Sequence, residues 1–276
     1  MTTIGWRGNP RLWLWLSVAA AGLAMVGNVV GLAAPDRIYG GGSLSLLHQG
    51  IAQDVVSLVV VAPLLVGLAV LSLRGSRRAY AAWIGLLVFT VYNYVIYTFA
   101  VGFGALFLLW VGVLGLAAFA LAGGIAALDP SAARAGDRSP PWRTAGWFLI
   151  VMALLFGGIW LSDVIPALVS GSAPDSVVEM GLPTNPVHVL DLAILLPVSV
   201  MVGVGLLRRS APAFAVAPAI AGFLALTGVP ILVTPFVALA RGEAADRSVS
   251  VPIGILTAAS LAVLVVLLRA VRRPSM

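Results

Sequence analysis

Residues 51–74, IAQDVVSLVVVAPLLVGLAVLSLR, hold one acid near the start, Asp54, one base at the end, Arg74, and no charge between them. A helix needs about 20 mostly apolar residues to cross a bilayer, whereas a strand that crosses one alternates apolar and polar residues over about ten. The run is continuous, so it reads as a spanning helix. Seven further stretches share its character. The expected spans are 12–34, 51–73, 80–101, 103–128, 144–169, 187–207, 212–239 and 251–270. The fold class is therefore all-α: a polytopic transmembrane helix bundle of about eight spans. Gly102-Phe103-Gly104 leaves only a tight hairpin between the third and fourth.

Charge placement orients the bundle. With the N-terminus inside, Arg7, Arg11, Arg74, Arg77, Arg78, Arg134, Arg138, Arg143, Arg208, Arg209, Arg269, Arg272 and Arg273 all fall on the inner side, 13 of 16. Only Arg37, Arg241 and Arg247 fall outside. Asp129 and Asp137 are the only inner acids. Basic residues in short loops stay on the cytoplasmic side, so both termini are expected in the cytoplasm. Dropping or adding one span would scramble this sorting. Trp6, Trp13, Trp15, Trp83, Trp142 and Trp147 are expected as an inner aromatic belt and Trp160 as an outer one, with Trp110 packed inside the fourth span. The first apolar run, about 23 residues, is too long for the h-region of a signal peptide and is expected to be retained.

Composition excludes much chemistry. Apolar residues make up 61% of the chain and charged residues 9%, against about 25% charged in soluble domains; the mean hydropathy is +1.08. There is no Cys and no Lys. Thiolate catalysis, Fe–S clusters, disulfides and lysine Schiff bases are thereby absent. A Walker lysine is also missing, and no G-x-S-x-G run occurs. A pI near 10.7 would point to nucleic acid in a soluble protein. Here the arginines flank apolar spans as topology anchors, so no nucleic-acid partner is expected; the bilayer is the partner.

The chain also reads as a tandem of four-helix halves, residues 1–128 and 144–276, joined by a polar, Pro-bearing linker at 129–143. Spans two and six each carry a His, then an Asp, then a Pro, then an Arg. Pro63 to Arg74 and Pro197 to Arg208 are both eleven residues. Ala34-Pro35-Asp36 and Ala173-Pro174-Asp175 follow spans one and five. Four spans per half put both halves in the same direction, a parallel repeat. The His–Asp spacing differs between halves, six residues against three, so the polar registers do not superpose.

Ionisable residues inside a membrane are costly and usually face a bundle interior or a wet cavity. Here they gather in the outer half. His48, Gln53 and Asp54 stand on span two, His188 and Asp191 on span six, Asp163 at the end of span five, and Tyr92, Asn93, Tyr94 and Tyr97 on span three. Asn28 of span one is a further candidate. His188 and Asp191, three apart, share a helix face; Asn93 and Tyr97, four apart, do likewise. These ten residues are the candidate ligand-binding set, an outward-facing polar pocket for a small ligand, ion or proton. Plainer roles compete: helix capping by the histidines, a favourable helix dipole for Asp54 and Asp191, and belt positions for the tyrosines. His48, Asp54, His188 and Asp191 form a His2Asp2 set suited to a divalent metal, although no short ligand motif accompanies them. A bis-His haem between spans two and six is a further option. Gly112, Gly115, Gly123 and Gly124 allow close helix approach, and Pro63, Pro197, Pro218, Pro230 and Pro235 bend spans two, six and seven.

The stretches Asp54 to Pro63, Tyr92-Asn93-Tyr94 to Phe107, and Asn185 to Pro197 together resemble an uncharacterised family of bacterial multi-pass membrane proteins. The likeness covers most of the chain and implies a bacterial inner-membrane location, but no activity. Three functions stay open: a pocket protein or transporter, an outer-leaflet enzyme using the His and Asp residues with or without metal, and a ligand-free structural or regulatory subunit. No motif names a cofactor or an oligomeric state.

Overall fold

The computed structural model describes residues 9–128 and 141–271. Among these residues there are ten helices and no strand: α1 (Arg11–Ala33), α2 (Pro35–Tyr39), α3 (Leu44–Leu73), α4 (Arg77–Ala100), α5 (Phe107–Ala126), α6 (Trp142–Ser170), α7 (Asp175–Met180), α8 (Pro186–Leu207), α9 (Ala211–Ala240) and α10 (Ser250–Ala270). Eight are long and apolar enough to cross a membrane. By length and composition this is a multi-pass membrane protein. Residues 129–140 of the expected linker, together with Trp6, Arg7, Arg272 and Arg273, lie outside the described residues.

Two span boundaries differ from expectation. Helix α3 begins at Leu44, seven residues before residue 51, and is capped by Ser43, whose Oγ accepts the Leu46 N–H at 3.2 Å. Ser45, His48, Gln49 and Gln53 lower the hydropathy of its first turns, yet His48 and Gln53 are buried in protein. Hydropathy cannot distinguish a polar side chain facing protein from one facing water. Helix α5 starts at Phe107, not residue 103, because Gly102 to Leu106 form the turn.

Short turns make successive spans antiparallel. One end of the bundle holds the tight Arg74-Gly75-Ser76 and Arg208-Arg209-Ser210 turns; the other holds α2, α7 and the 241–249 loop. Helices α4 and α9 form the centre, touching at backbone distance: a Cβ on Gly85 would lie 2.9 Å from the Ala219 carbonyl oxygen. A similar contact joins α6 and α8, where Cβ atoms on Gly146 and Gly203 would meet the other's carbonyl at 2.9 and 2.7 Å. Small residues let TM backbones approach in this way. Gly123 and Gly124 also receive rings, from Trp13 and Trp83, whereas Gly115 faces open space.

Trp83, expected in the inner belt, is fully buried, and its indole N–H donates to Ser17 Oγ at 2.9 Å. It ties α4 to α1, so it is a core residue. Trp15 and Trp147 are exposed, as belt residues should be. Trp110 is buried and stacks on Tyr97, ring centroids 5.4 Å apart.

Helices α3 and α8 each widen just before a proline, whereas α6 and α9 carry internal prolines without widening. Residues Ser57–Val61 in α3 and Asp191–Leu195 in α8 form π turns, closed by Ala62 N–H to Ser57 O and Leu196 N–H to Asp191 O. Pro63 and Pro197 follow immediately. Proline has no N–H to close the ordinary i→i−4 bond and its ring crowds the preceding turn, so the helix opens there. The same backbone events recur 134 residues apart, down to the turns that end both helices. Gly75 N–H bonds Ser72 O and Ser76 N–H bonds Leu71 O; Arg209 N–H bonds Leu206 O and Ser210 N–H bonds Gly205 O. Gly75 and Arg209 both have positive φ, 92° and 57°.

Candidate functional site

Asp54 lies in α3, 1% exposed. Both carboxylate oxygens are occupied by phenols. Tyr39 OH donates to Oδ2 at 2.6 Å and Tyr97 OH donates to Oδ1 at 2.8 Å. Each donor arrives on a different element, Tyr39 at the end of α2 and Tyr97 on α4. Helix α1 closes the site with a glycine, since a Cβ on Gly31 would collide with Asp54 Oδ2 and come within 2.8 Å of Tyr39 OH. Burial pushes the Tyr39 phenol above its ordinary value, and the adjacent Asp54 adds to the shift. Tyr39 therefore stays a neutral donor; its bond is complete below the usual phenol value of about 10 and fades only as pH rises through the raised one. Among the described residues no Arg or His pairs with Asp54.

Asp191, the first residue of the α8 π turn, forms a second group. Tyr92 OH donates to Oδ1 at 3.1 Å and Trp160 Nε1 donates to Oδ2 at 2.9 Å. The Trp160 ring also lies against His188, centroids 4.6 Å apart. His188 Nδ1 is 4.0 Å from Asp163 Oδ2, and Ser176 OH donates to that same oxygen at 2.6 Å. The order is Ser–Asp–His with the carboxylate in the middle. Among the described residues no hydrogen bond joins His188 to the Ser176 hydroxyl, so the order is not that of a Ser–His–Asp triad.

The ten expected residues thus fall into separate groups. Asp54 joins Tyr97; Asp191 joins Tyr92. His188 faces Asp163. His48 sits 3.6 Å from Glu243 Oε2. Gln53 Nε2 donates to Ser57 Oγ at 2.8 Å, and Asn93 Nδ2 donates to the Phe89 carbonyl at 2.9 Å. The four residues named as metal ligands do not converge, and among the described residues no three of His, Asp or Glu form a metal-holding group. Asp54 and Asp191 each face aromatic donors, and each imidazole faces a different acid, Glu243 or Asp163. The three candidate tyrosines, for which belt positions were the competing role, are buried: Tyr92 at 6%, Tyr94 at 3% and Tyr97 at 4%.

A small cavity between α1, α3 and α4, with room for about one water, is lined by Gln53, Ser57, Thr90, Asn93 and Tyr94 among apolar residues. The Tyr94 hydroxyl is buried and has no partner. The Asn28 amide Nδ2 on α1 and His48 Nε2 on α3 are likewise buried without a hydrogen bond.

Sequence reasoning missed Tyr39, Trp160, Gly31 and Glu243. Tyr39 lies outside every apolar run. Trp160 has the look of a belt residue, and only its Asp191 bond distinguishes it. The signal for Tyr39 was the Pro35-Asp36 helix start, which turns the chain back over the span ends. No family model, curated protein or solved structure matches the chain, so the likeness to a bacterial multi-pass family gains no support.

Proposed function

We propose that Asp54 and Asp191 are binding groups for a proton or small cation within a secondary transporter. The chain is then a bacterial inner-membrane protein with both termini cytoplasmic, built as two parallel four-helix units at residues 1–128 and 144–276. The observation that carries the reading is Asp54: an acid inside a spanning helix, buried, held by two neutral phenols and facing no cationic side chain. An ionisable residue inside a membrane is expensive and marks an ion or proton path by default. A carboxylate with neutral donors on both oxygens is positioned but not neutralised, which leaves the positive charge to be supplied by the transported species. Arginine sorting supports the orientation, and the 134-residue recurrence of π turn, proline and terminal turn supports the repeat.

The test is proton or Na+ flux in proteoliposomes with Asp54→Asn and Asp191→Asn. Transport should fall to background in each while the folded protein persists. Normal flux in both variants would remove the proposal. Orientation is tested separately: the chain has no Cys, so Ser76→Cys and Ser172→Cys each give a single labelling site. Ser172→Cys should react from outside intact cells and Ser76→Cys only after permeabilisation.

One observation favours a structural reading. Both acids tie helices together, Asp54 joining α2, α3 and α4. A pure staple would show loss of folding in the Asn variants and no flux in the wild type.

A further inference from the structure

The Tyr97 hydroxyl has two acceptors in reach. It donates to Asp54 Oδ1 at 2.8 Å, and the Gly50 carbonyl oxygen, 3.5 Å away, is a long second one. Gly50 stands one helical turn before Asp54, so its carbonyl already accepts the Asp54 N–H. A carbonyl oxygen has two lone pairs, which leaves one for Tyr97. Among the described residues the Tyr39 hydroxyl has a single acceptor, Asp54 Oδ2 at 2.6 Å. Gly50 also makes room for the Tyr39 ring, since a Cβ on it would come within 2.9 Å of that ring.

We propose that Asp54 takes a proton on Oδ1, and that the Tyr97 hydroxyl then turns to the Gly50 carbonyl and accepts from the acid. The bound species is thus H+ and not a metal cation; this rests on the reading of Asp54 as a binding group. In the step, a proton from the aqueous phase forms one O–H bond to Oδ1. Tyr97 keeps its own hydrogen, and the carboxylate loses its charge. Both states satisfy every group. In the charged state the two phenols donate to the carboxylate. In the neutral state Oδ1–H donates to Tyr97, Tyr97 donates to Gly50, and Tyr39 still donates to Oδ2. A phenol can reverse in this way because it both donates and accepts. A cation has no such place. Separations of 2.6 and 2.8 Å hold a hydrogen between two oxygens and not an ion. An ion that turned the Tyr39 hydroxyl away would strand it without an acceptor.

No fixed charge faces the site. Tyr94 is the remaining ionisable neighbour, its ring 5.4 Å from that of Tyr97. Of the spans packed around the site, α1 carries no ionisable residue after Arg11, and α5 and α9 carry none. On α2, Asp36 pairs with Arg241 and Arg37 is exposed. Further up α3, His48 faces Glu243 and Ser45 accepts no proton but donates to Glu179. Asp54 is 1% exposed, so its proton exchanges through local opening and the state is read at equilibrium. Asp191 does not have the same route. The Trp160 indole donates and cannot accept, and the Tyr92 hydroxyl has Asp191 as its one acceptor among the described residues. A proton on Oδ1 there would leave the Tyr92 hydrogen without an acceptor, and a proton on Oδ2 would itself have none.

Infrared spectra of the full chain in nanodiscs, with aspartate carboxyl carbons labelled with 13C, read the state directly. Among the carboxylic C=O bands that grow as pH falls, one should shift in D2O, persist in Asp191→Asn and be absent in Asp54→Asn. In Tyr97→Phe the acid O–H loses its acceptor, so that band should move to higher frequency; a merely structural Tyr97 would leave it in place. That shift also makes the assignment if Asp54→Asn does not fold. Replacing Na+ by choline should change nothing. No such band in the folded protein, a band that Na+ suppresses at fixed pH, or an unmoved band in Tyr97→Phe overturns the proposal. Flux separates this result from the wider reading. The band without flux in the wild type leaves the proton site standing and removes transport; Na+ flux without the band does the reverse.

Discussion

Asp54 and Asp191 occupy nearby places in two stretches of chain with the same backbone, yet they are held differently. Asp54 is enclosed: two phenols, one from a helix outside the spans, and a glycine on α1 that leaves room for them. Asp191 is half-buried and shared between an indole on α6 and a phenol on α4. A bend placed by proline can be repeated without repeating the polar group beside it. Ser57, the residue that corresponds to Asp191, is a neutral hydroxyl; the residue that corresponds to Asp54 is His188. The backbone sets where the helix opens, and the side chains set what the opening holds.

The sharpest way to break the comparison is to delete each acid. Asp54→Ala strands the buried Tyr39 hydroxyl and leaves Tyr97 only a long 3.5 Å contact to the Gly50 carbonyl; at about 1–3 kcal/mol for a stranded group, with less for the second, a total loss of roughly 2–4 kcal/mol is expected. Asp191→Ala strands one buried phenol and a half-exposed indole, and should cost about 1–2 kcal/mol. Unfolding in mixed micelles of graded SDS content measures both. Equal losses would mean that the enclosure around Asp54 contributes nothing.

Gly31 tests the enclosure from the other side. Gly31→Ala places a methyl against Asp54 Oδ2 and Tyr39 OH, an overpacking that typically costs about 1–3 kcal/mol. Gly22 lies on the same helix and faces open space. Gly22→Ala should be neutral or stabilising by up to about 1 kcal/mol, as helix propensity requires. If the two variants behave alike, the close approach at Gly31 is not what holds the site.

The eight spans could be read from the chain because long apolar runs leave few alternatives, but the starts of α3 and α5 could not. The polar candidates could be found because buried acids and tyrosines in such runs are rare. Which of them meet could not be read. Tyr39 reaches Asp54 from fifteen residues upstream, across a turn that hydropathy treats as loop. Trp160 reaches Asp191 across thirty-one. Both are long-range contacts fixed by helix packing, which a one-dimensional pattern does not contain. The pairing of His48 with Asp54 and of His188 with Asp191 in the sequence was a matter of nearness along one helix. In the fold each imidazole turns to a different acid, Glu243 or Asp163.

Trp160→Phe separates the two jobs of that ring. The substitution keeps an aromatic face against His188 and removes only the N–H bond to Asp191. Hydrogen bonds between membrane helices average about 0.6 kcal/mol, so the loss in SDS unfolding should be of that size. Tryptophan fluorescence should also lose its sensitivity to Asp191→Asn. A loss above about 2 kcal/mol would mean that the indole is packing the helices, not only serving the acid.

A further pair of changes concerns the turns that end α3 and α8. Both place their second residue at positive φ, Gly75 at 92° and Arg209 at 57°. The left-handed region costs a residue with a Cβ about 1 kcal/mol and costs glycine nothing. The first turn has the residue that its backbone favours; the second has an arginine on the basic end of the bundle. Gly75→Ala should therefore destabilise by about 1 kcal/mol, and Arg209→Gly should stabilise by up to the same amount. The two changes swap the solutions while leaving every span intact. If Arg209→Gly instead destabilises, the guanidinium is contributing more at this end, through lipid phosphate or the last carbonyls of α8, than its backbone costs. Repeating the measurement with and without anionic lipid then separates those two sources, since only the first depends on the headgroup.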